Sequence, residues 1–197
     1  MGFCAGYSNT TGSCNISIGF SAGYTQGTAS GNTFIGFSAG RVATSAPNTF
    51  IGHLAGRGNT YGARNTFIGY WAGKSNIMGE RNTFIGNLSG QNNSNGSSNT
   101  FVGNKSGFSN TSGNENSFIG DSAGYSNTTG SCNIFIGNYA GYQNTTGLQN
   151  INIGFKAGYS NSLGSCNVTI GNESGFAQGT VSGNVILGFN AGRVNTG

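Results

Sequence analysis

The chain repeats itself every 17 residues, and this period restricts its fold more than any other feature. Each copy carries a glycine after an apolar residue, and the step between these marks is 17 residues except for one 16-residue step. The chain's one proline, Pro47, lies in the short copy, where we expect a turn that differs from those of the other copies. The marks are Gly2, Gly19, Gly36, Gly52, Gly69, Gly86, Gly103, Gly120, Gly137, Gly154, Gly171 and Gly188.

The consensus of a copy, N-T-F-I-G-x-x-A-G-x-x-N-x-x-G-x-x, predicts a short strand followed by tight turns. Helix is disfavoured, because each glycine costs a helix about 1 kcal/mol relative to alanine. One copy cannot bury its own apolar face, whereas copies stacked about 4.8 Å apart can. The sequence therefore predicts an all-β parallel β-solenoid (a β-roll or β-helix) of about twelve 17-residue coils. The asparagine that opens each apolar run predicts an amide ladder between coils.

Composition excludes several other classes of protein. Glycine supplies 38 of 197 residues without a G-X-Y period, so the chain is not collagen. Disorder is disfavoured because the apolar residues recur at fixed spacing. The net charge of +4 comes from residues scattered along the chain, so no nucleic-acid partner is expected. No apolar run approaches the roughly 20 residues that span a bilayer, and no signal peptide is visible.

A longer repeat overlies the short one. The segment 2–44 recurs at 154–196, displaced by 152 residues or nine coils, and Gln26-Gly27-Thr28 returns as Gln178-Gly179-Thr180. We therefore expect residues 1–197 to form a single solenoid segment of a longer tandem array. Neither end shows a capping coil, and Met1 occupies the position of the repeated isoleucine. Uncapped coils expose strand edges, which predicts either a continuing polypeptide or a head-to-tail filament.

Side chains of a strand alternate between two faces, which places the threonine and isoleucine of N-T-F-I on one face and the phenylalanine on the other. Two interpretations remain open. In one, phenylalanine fills the coil. In the other, isoleucine and alanine fill it and phenylalanine forms an exposed interface stripe for a lateral trimer. The stripe would comprise Phe34, Phe50, Phe67, Phe84, Phe101, Phe118 and Phe135.

Motifs such as Asn65-Thr66-Phe67-Ile68-Gly69 and Asn144-Thr145-Thr146-Gly147 resemble the head repeats of trimeric autotransporter adhesins. They also resemble related N-T-x-I-G repeats of surface proteins and phage tail fibres. The resemblance covers the whole chain. It implies a left-handed parallel β-roll, usually trimeric, displayed outside the cell for attachment. The chain departs from the family in its repeated phenylalanine, where a small residue is usual, and in its longer coil.

Residues for catalysis or ligand binding are sparse. His53 is the one histidine, at a variable position that we predict to be on the surface, and the four acidic residues lie on different coils. No nucleophile, base and orienting group can be assembled, so we predict no catalytic, metal or cofactor site and no enzyme.

The chain also contains four cysteines and several N-glycosylation motifs. Cys14, Cys132 and Cys166 share one coil position, and the last two would lie about 9–10 Å apart, beyond the reach of a disulfide. A Cys4–Cys14 bridge, interchain pairing and free thiols stay open. N-x-S/T motifs recur at one turn that we expect to be exposed, which suggests a glycoprotein. These candidate N-glycosylation sites are Asn9, Asn110, Asn127 and Asn144, with further motifs at Asn87, Asn92, Asn95, Asn104 and Asn172.

The leading functional hypothesis is a structural or adhesive fibre segment, extracellular or on the cell surface. Its partners would be other copies of itself and a surface or glycan ligand. The alternative is ice binding through two rows of hydroxyl side chains, although the first row becomes aliphatic after Ser117. The first row is Thr33, Thr49, Thr66, Thr83 and Thr100, and the second is Thr10, Thr60, Thr111, Thr128 and Thr145.

Overall fold

A computed structural model describes residues 2–193, so Met1 and residues 194–197, including the end of the nine-coil repeat, lie outside the described part. The described chain is all-β and forms a β-solenoid with one eleven-stranded parallel sheet, in the order β1 to β11. This confirms the predicted fold class. The strands are β1 Ile16–Ile18, β2 Thr33–Ile35, β3 Asn48–Ile51, β4 Asn65–Ile68, β5 Thr83–Ile85, β6 Thr100–Val102, β7 Ser117–Ile119, β8 Ile134–Ile136, β9 Ile151–Ile153, β10 Val168–Ile170 and β11 Val185–Leu187.

Adjacent strands pair residue for residue between successive copies, as in Phe67 with Phe84. The short copy keeps this register, because Thr33 pairs with Thr49 across the 16-residue step. The missing residue is accommodated in the turn before β3, where the Ala46–Pro47 peptide bond is cis. The twelve marks correspond to eleven strands, because only Met1 precedes Gly2, and the ten steps between eleven strands make about ten full turns rather than twelve. At the usual strand spacing the sheet is about 48 Å long.

Phenylalanine, not isoleucine, fills the coil. The interpretation of Phe34, Phe50, Phe67, Phe84, Phe101, Phe118 and Phe135 as an exposed interface stripe is wrong, since all seven are fully buried. Their rings stack in a continuous column with centroids 4.7–5.1 Å apart. Each ring lies against a glycine six residues later, and a Cβ on Gly73 would collide with the ring of Phe67. The second glycine of the repeat therefore makes room for the phenylalanine.

The glycine after each strand is required by its own conformation. Gly69 has a φ of 138°, which L-residues rarely adopt. A Cβ there would also collide with the backbone carbonyl of Gly86, one coil away. Close stacking of coils thus depends on glycine at the marks from Gly2 to Gly171.

The strand asparagines form the predicted ladder, with the backbone as a partner. The backbone N–H of Asn82 donates to Oδ1 of Asn65, 2.9 Å away, and Asn65 Nδ2 donates to the carbonyl of Gly79 at 2.8 Å. One bond joins successive coils and the other closes a single coil. Direct amide-to-amide bonds occur as well, for example from Asn116 Nδ2 to Asn99 Oδ1 at 3.1 Å. These bonds satisfy polar groups that are buried beside the phenylalanine column.

Between residues 2 and 193 the structure contains no helix long and apolar enough to cross a membrane.

Candidate binding surfaces

The side of the sheet that points away from the core forms a broad apolar surface, which we call the outer face. It carries the threonine row and the isoleucine row of the repeat, and Ile85 and Ile119 are 37% and 41% exposed. The isoleucine row crosses all eleven strands without interruption by a polar residue. It comprises Ile18, Ile35, Ile51, Ile68, Ile85, Val102, Ile119, Ile136, Ile153, Ile170 and Leu187. The exposed apolar stripe of this solenoid is therefore aliphatic rather than aromatic.

Aromatic side chains form two further rows on the surface. In the first row, immediately after the strands, His53 stacks between Phe37 and Tyr70 with ring centroids 5.2 Å apart on each side. This exposed position confirms the prediction that His53 lies on the surface. The second row runs Phe108, Tyr125, Tyr142, Tyr159 and Phe176 with centroids 5.0–5.1 Å apart.

The stacking in these rows determines what they can present to a ligand. Neighbouring rings cover one another's faces, so solvent meets ring edges and hydroxyl groups. Burial, and then the adjacent tyrosines, raise the pKa of Tyr142 above its usual value. The rows therefore offer few free ring faces for stacking with sugars or bases.

Three of the candidate glycosylation sites are inside the coil. Asn110, Asn127 and Asn144 are at most 1% exposed, so the expectation that this turn is exposed is wrong for them. They belong to a second amide ladder. Asn110 Nδ2 donates to Asn93 Oδ1, and Asn110 Oδ1 accepts a bond from Asn127 Nδ2, both at 2.7 Å. A sugar on Nδ2 would displace these bonds. Asn9 is exposed, and its amide donates to the carbonyl of Gly12.

The recurrence that suggested glycosylation has a structural cause. The turn asparagine repeats because each amide pairs with the one a coil away, and the threonine after it repeats because its hydroxyl bonds a carbonyl of the next coil. The Thr111 hydroxyl donates to the carbonyl of Thr128, and that of Thr128 to Thr145. Most hydroxyls of the second row proposed for ice binding are therefore occupied within the protein.

All four cysteines are free, and three of them, Cys14, Cys132 and Cys166, are exposed. The structure contains no Cys4–Cys14 bridge. Cys132 Sγ lies 3.6 Å from the carboxylate of Glu115, one coil away. Local desolvation, followed by the hydrogen bond to Glu115 and its negative charge, raises the pKa of the Cys132 thiol.

The reactivity of Cys132 is expected to depend on Glu115. A raised pKa lowers the thiolate fraction at a given pH, and the thiolate is the reactive form. We expect Glu115→Gln to increase the rate of Cys132 modification by a thiol reagent about two- to fivefold near neutral pH, with the difference shrinking as pH rises above the pKa. Site-resolved mass spectrometry gives the rate, with Cys166 in the same molecule as the internal control. An unchanged Cys132 rate in the variant would contradict the expectation.

Basic residues that are distant in sequence meet in two rows. Arg41, Arg57 and Lys74 occupy the same repeat position in three successive coils; we call them the cation row. None of the three has an ion-pair partner among the described residues. At another turn, Arg64 lies 2.9 Å and Arg81 4.0 Å from the carboxylate of Glu80. Glu80 thus offsets part of the positive charge of Arg64 and Arg81, whereas the charge of the cation row has no acidic partner within residues 2–193.

A groove of about 450 Å³ runs beside the cation row. A Cβ on Gly58 would press against the backbone carbonyl of Lys74, so glycine here lets the two coils that line the groove approach closely. Sequence reasoning missed this surface by treating the charges as scattered, although the 16- and 17-residue spacing of the three cations was a usable signal. The groove is lined by Val42, Arg57, Gly58, Thr60, Lys74, Ser75 and Ile77.

Within the described part of the chain, no three His, Cys, Asp or Glu residues come close enough together to hold a metal ion. Comparison of the chain with models of protein families, with curated proteins and with solved structures returns no match.

Proposed function

We propose that the chain is a non-catalytic structural segment of an extracellular or cell-surface fibre, whose rods associate side by side. The observation that carries this proposal is the stacking of like residues along one axis. The parallel sheet, the phenylalanine column and the asparagine ladders each run from coil to coil. Because the sheet, the column and the ladders run beside one another through most of the coils, bending at one point would break several of them together. The extracellular location rests on the resemblance to adhesin head repeats alone.

The outer face supports side-by-side association with further copies of this chain. Its length of about 48 Å and a width of roughly 12 Å correspond to about 600 Å² per copy. Standard interfaces bury about 800 Å² per partner, so the outer face is near the lower limit for a stable pair. The area grows with every coil of a longer array. Because the rows of both copies have the same spacing, association remains in register along the whole length.

Two measurements test this proposal separately. Small-angle scattering or electron microscopy of the chain should show a stiff rod, and a compact or flexible particle would contradict the structural role. Sedimentation velocity should show concentration-dependent association. We expect Ile85→Lys with Ile119→Lys to make the protein monomeric, because two desolvated ammonium groups per copy oppose burial of the face.

The matched control is Thr129→Lys with Gln149→Lys, which adds the same charge at exposed positions away from the outer face. This variant should associate like the unchanged chain. Equal loss of association in both variants would assign the effect to net charge and not to the face. A wild-type chain that stays monomeric at all concentrations would overturn lateral association while leaving the rod intact.

Ice binding remains the second candidate because of one observation on the outer face. Thr33, Thr49, Thr66, Thr83 and Thr100 pair in register on this face, so their hydroxyls and methyls form a straight row at the strand spacing. The row covers five coils and becomes aliphatic from Ile134 onward. Thermal hysteresis of a dilute solution tests this function, and an unchanged freezing point would exclude it.

A further inference from the structure

The positive charge of the protein is concentrated in a small part of the rod. Residues 41–105 contain six of the eight basic residues and only one acid, Glu80. The remaining two basic residues are outnumbered by three acids. The net charge of the chain therefore originates in a stretch of about four coil lengths, and within it Glu80 is already bonded to Arg64.

The cation row is held in place by neighbours that do not neutralise it. Lys74 Nζ lies 3.6 Å from the centre of the Trp71 ring, and the guanidinium of Arg41 lies 5.6 Å from that of Tyr24. Cation–π contacts of this kind keep a cation in position while leaving its hydrogen-bond donors available. Arg57, between the other two cations in the row, is exposed. The backbone N–H of Gly58 donates to the carbonyl of Lys74 at 2.8 Å, which holds these two coils together beside the row.

We propose that the cation row and its groove bind an extended acidic polysaccharide that lies along the rod axis. The three cations follow one another at one per coil, about 4.8 Å apart at the backbone. This step is close to the length of one sugar in an extended chain, so successive carboxylate or sulfate groups can meet successive cations. The groove places polar side chains, Thr60 and Ser75, beside the cations, where sugar hydroxyls would lie.

Nucleic acid fits the same surface less well. Binding to single strands relies on bases stacked against open aromatic faces, and the aromatic rows of this protein cover their own faces. Affinity for a phosphate backbone also scales with the number of phosphates neutralised, and the row supplies only three cations. Charge complementarity along a straight axis therefore favours the polysaccharide. The proposal goes beyond the structural role and does not require the rods to associate.

The test is binding of the full chain to three labelled probes: a heparin fragment, a polygalacturonate fragment and an uncharged dextran. Fluorescence anisotropy should show binding to at least one acidic probe, weaker at higher salt, and none to dextran. Arg57→Gln with Lys74→Gln should weaken binding at least about tenfold, since both cations contact the probe directly. Arg57→Lys with Lys74→Arg keeps the charges and should keep the affinity within about threefold.

The matched control is Arg64→Gln with Arg81→Gln, which removes the same charge from the row that Glu80 offsets and should change affinity less than about twofold. Circular dichroism and thermal melting confirm that each variant is folded. The proposal is overturned if neither acidic probe binds, if both glutamine pairs weaken binding equally, or if an oligothymidylate competes as well as the acidic fragments do.

Discussion

Truncation of Phe84 to alanine is expected to destabilise the protein by about 3–5 kcal/mol, because it removes a buried ring from the middle of the column. The Phe84 ring stacks between Phe67 and Phe101, with centroids 4.8 Å away on each side. A Cβ on Gly90 would collide with the Phe84 ring, and the residue before it is the small Ser89, so no side chain there can move in to fill the cavity. Urea unfolding followed by far-ultraviolet circular dichroism measures the loss.

The matched control for this change is Ile85→Ala on the same strand. Ile85 is 37% exposed on the outer face, so its truncation should cost only about 1 kcal/mol. A larger loss at Ile85 than at Phe84 would show that the coil is filled by isoleucine after all.

The chain already contains two coils in which the phenylalanine is replaced by a small hydroxyl residue. Ser17 occurs with Gln26, and Thr169 with Gln178, where other coils have asparagine or alanine. The hydroxyls of Ser17 and Thr169 donate to the glutamine Oε1 atoms at 3.3 and 3.4 Å. The longer glutamine thus reaches into the space left by the ring. Adding Asn93→Gln to Phe84→Ser should accordingly recover part of the stability that Phe84→Ser loses.

Replacement of Asn110 by aspartate is expected to cost about 3 kcal/mol or more, although the two side chains have nearly the same shape. Asn110 Nδ2 donates to Asn93 Oδ1 and to the carbonyl of Gly113, and aspartate cannot donate either bond. The change would place a carboxylate against two acceptor oxygens in a fully buried site, and burial of an unpaired charge is strongly unfavourable.

Asn95→Asp is the control for this prediction, because Asn95 is exposed in the neighbouring coil. It should change the free energy of unfolding by less than about 0.5 kcal/mol. Similar losses for the two variants in thermal or urea unfolding would mean that the turn asparagines do not form a buried ladder.

The period of the sequence was sufficient to predict the solenoid. Each 17-residue copy has one apolar run, and stacking the copies as coils buries these runs. The structure confirms the parallel register. The short copy illustrates the strength of this constraint, since Thr33 pairs with Thr49 in spite of the deletion. The ladder of strand asparagines was predicted for the same reason: identical residues at a fixed step must meet.

The positions of the surfaces were harder to predict, and the reason is local geometry. Asn110 lies in a motif that is correct for glycosylation, but the turn directs its amide inward, and no residue type reveals that direction. Arg41, Arg57 and Lys74 are too far apart in sequence to read as a patch, although their spacing equals the coil length. Spacing alone could have placed them in one row, but the unopposed charge follows from where Glu80 lies in space, and the groove follows from the packing of adjacent coils.

From sequence alone, then, the period determines that coils stack, that they pair in parallel and that like residues form rows. Because side chains alternate along a strand, the sequence also predicts that phenylalanine and isoleucine lie on opposite faces of the sheet. Only the tertiary structure decides which side is the interior, because that depends on the direction in which the backbone curves at Gly69 and on the space that Gly73 leaves for a ring. With that curvature, phenylalanine and the turn asparagines are buried inside the coil, and isoleucine and the cation row lie on the surface.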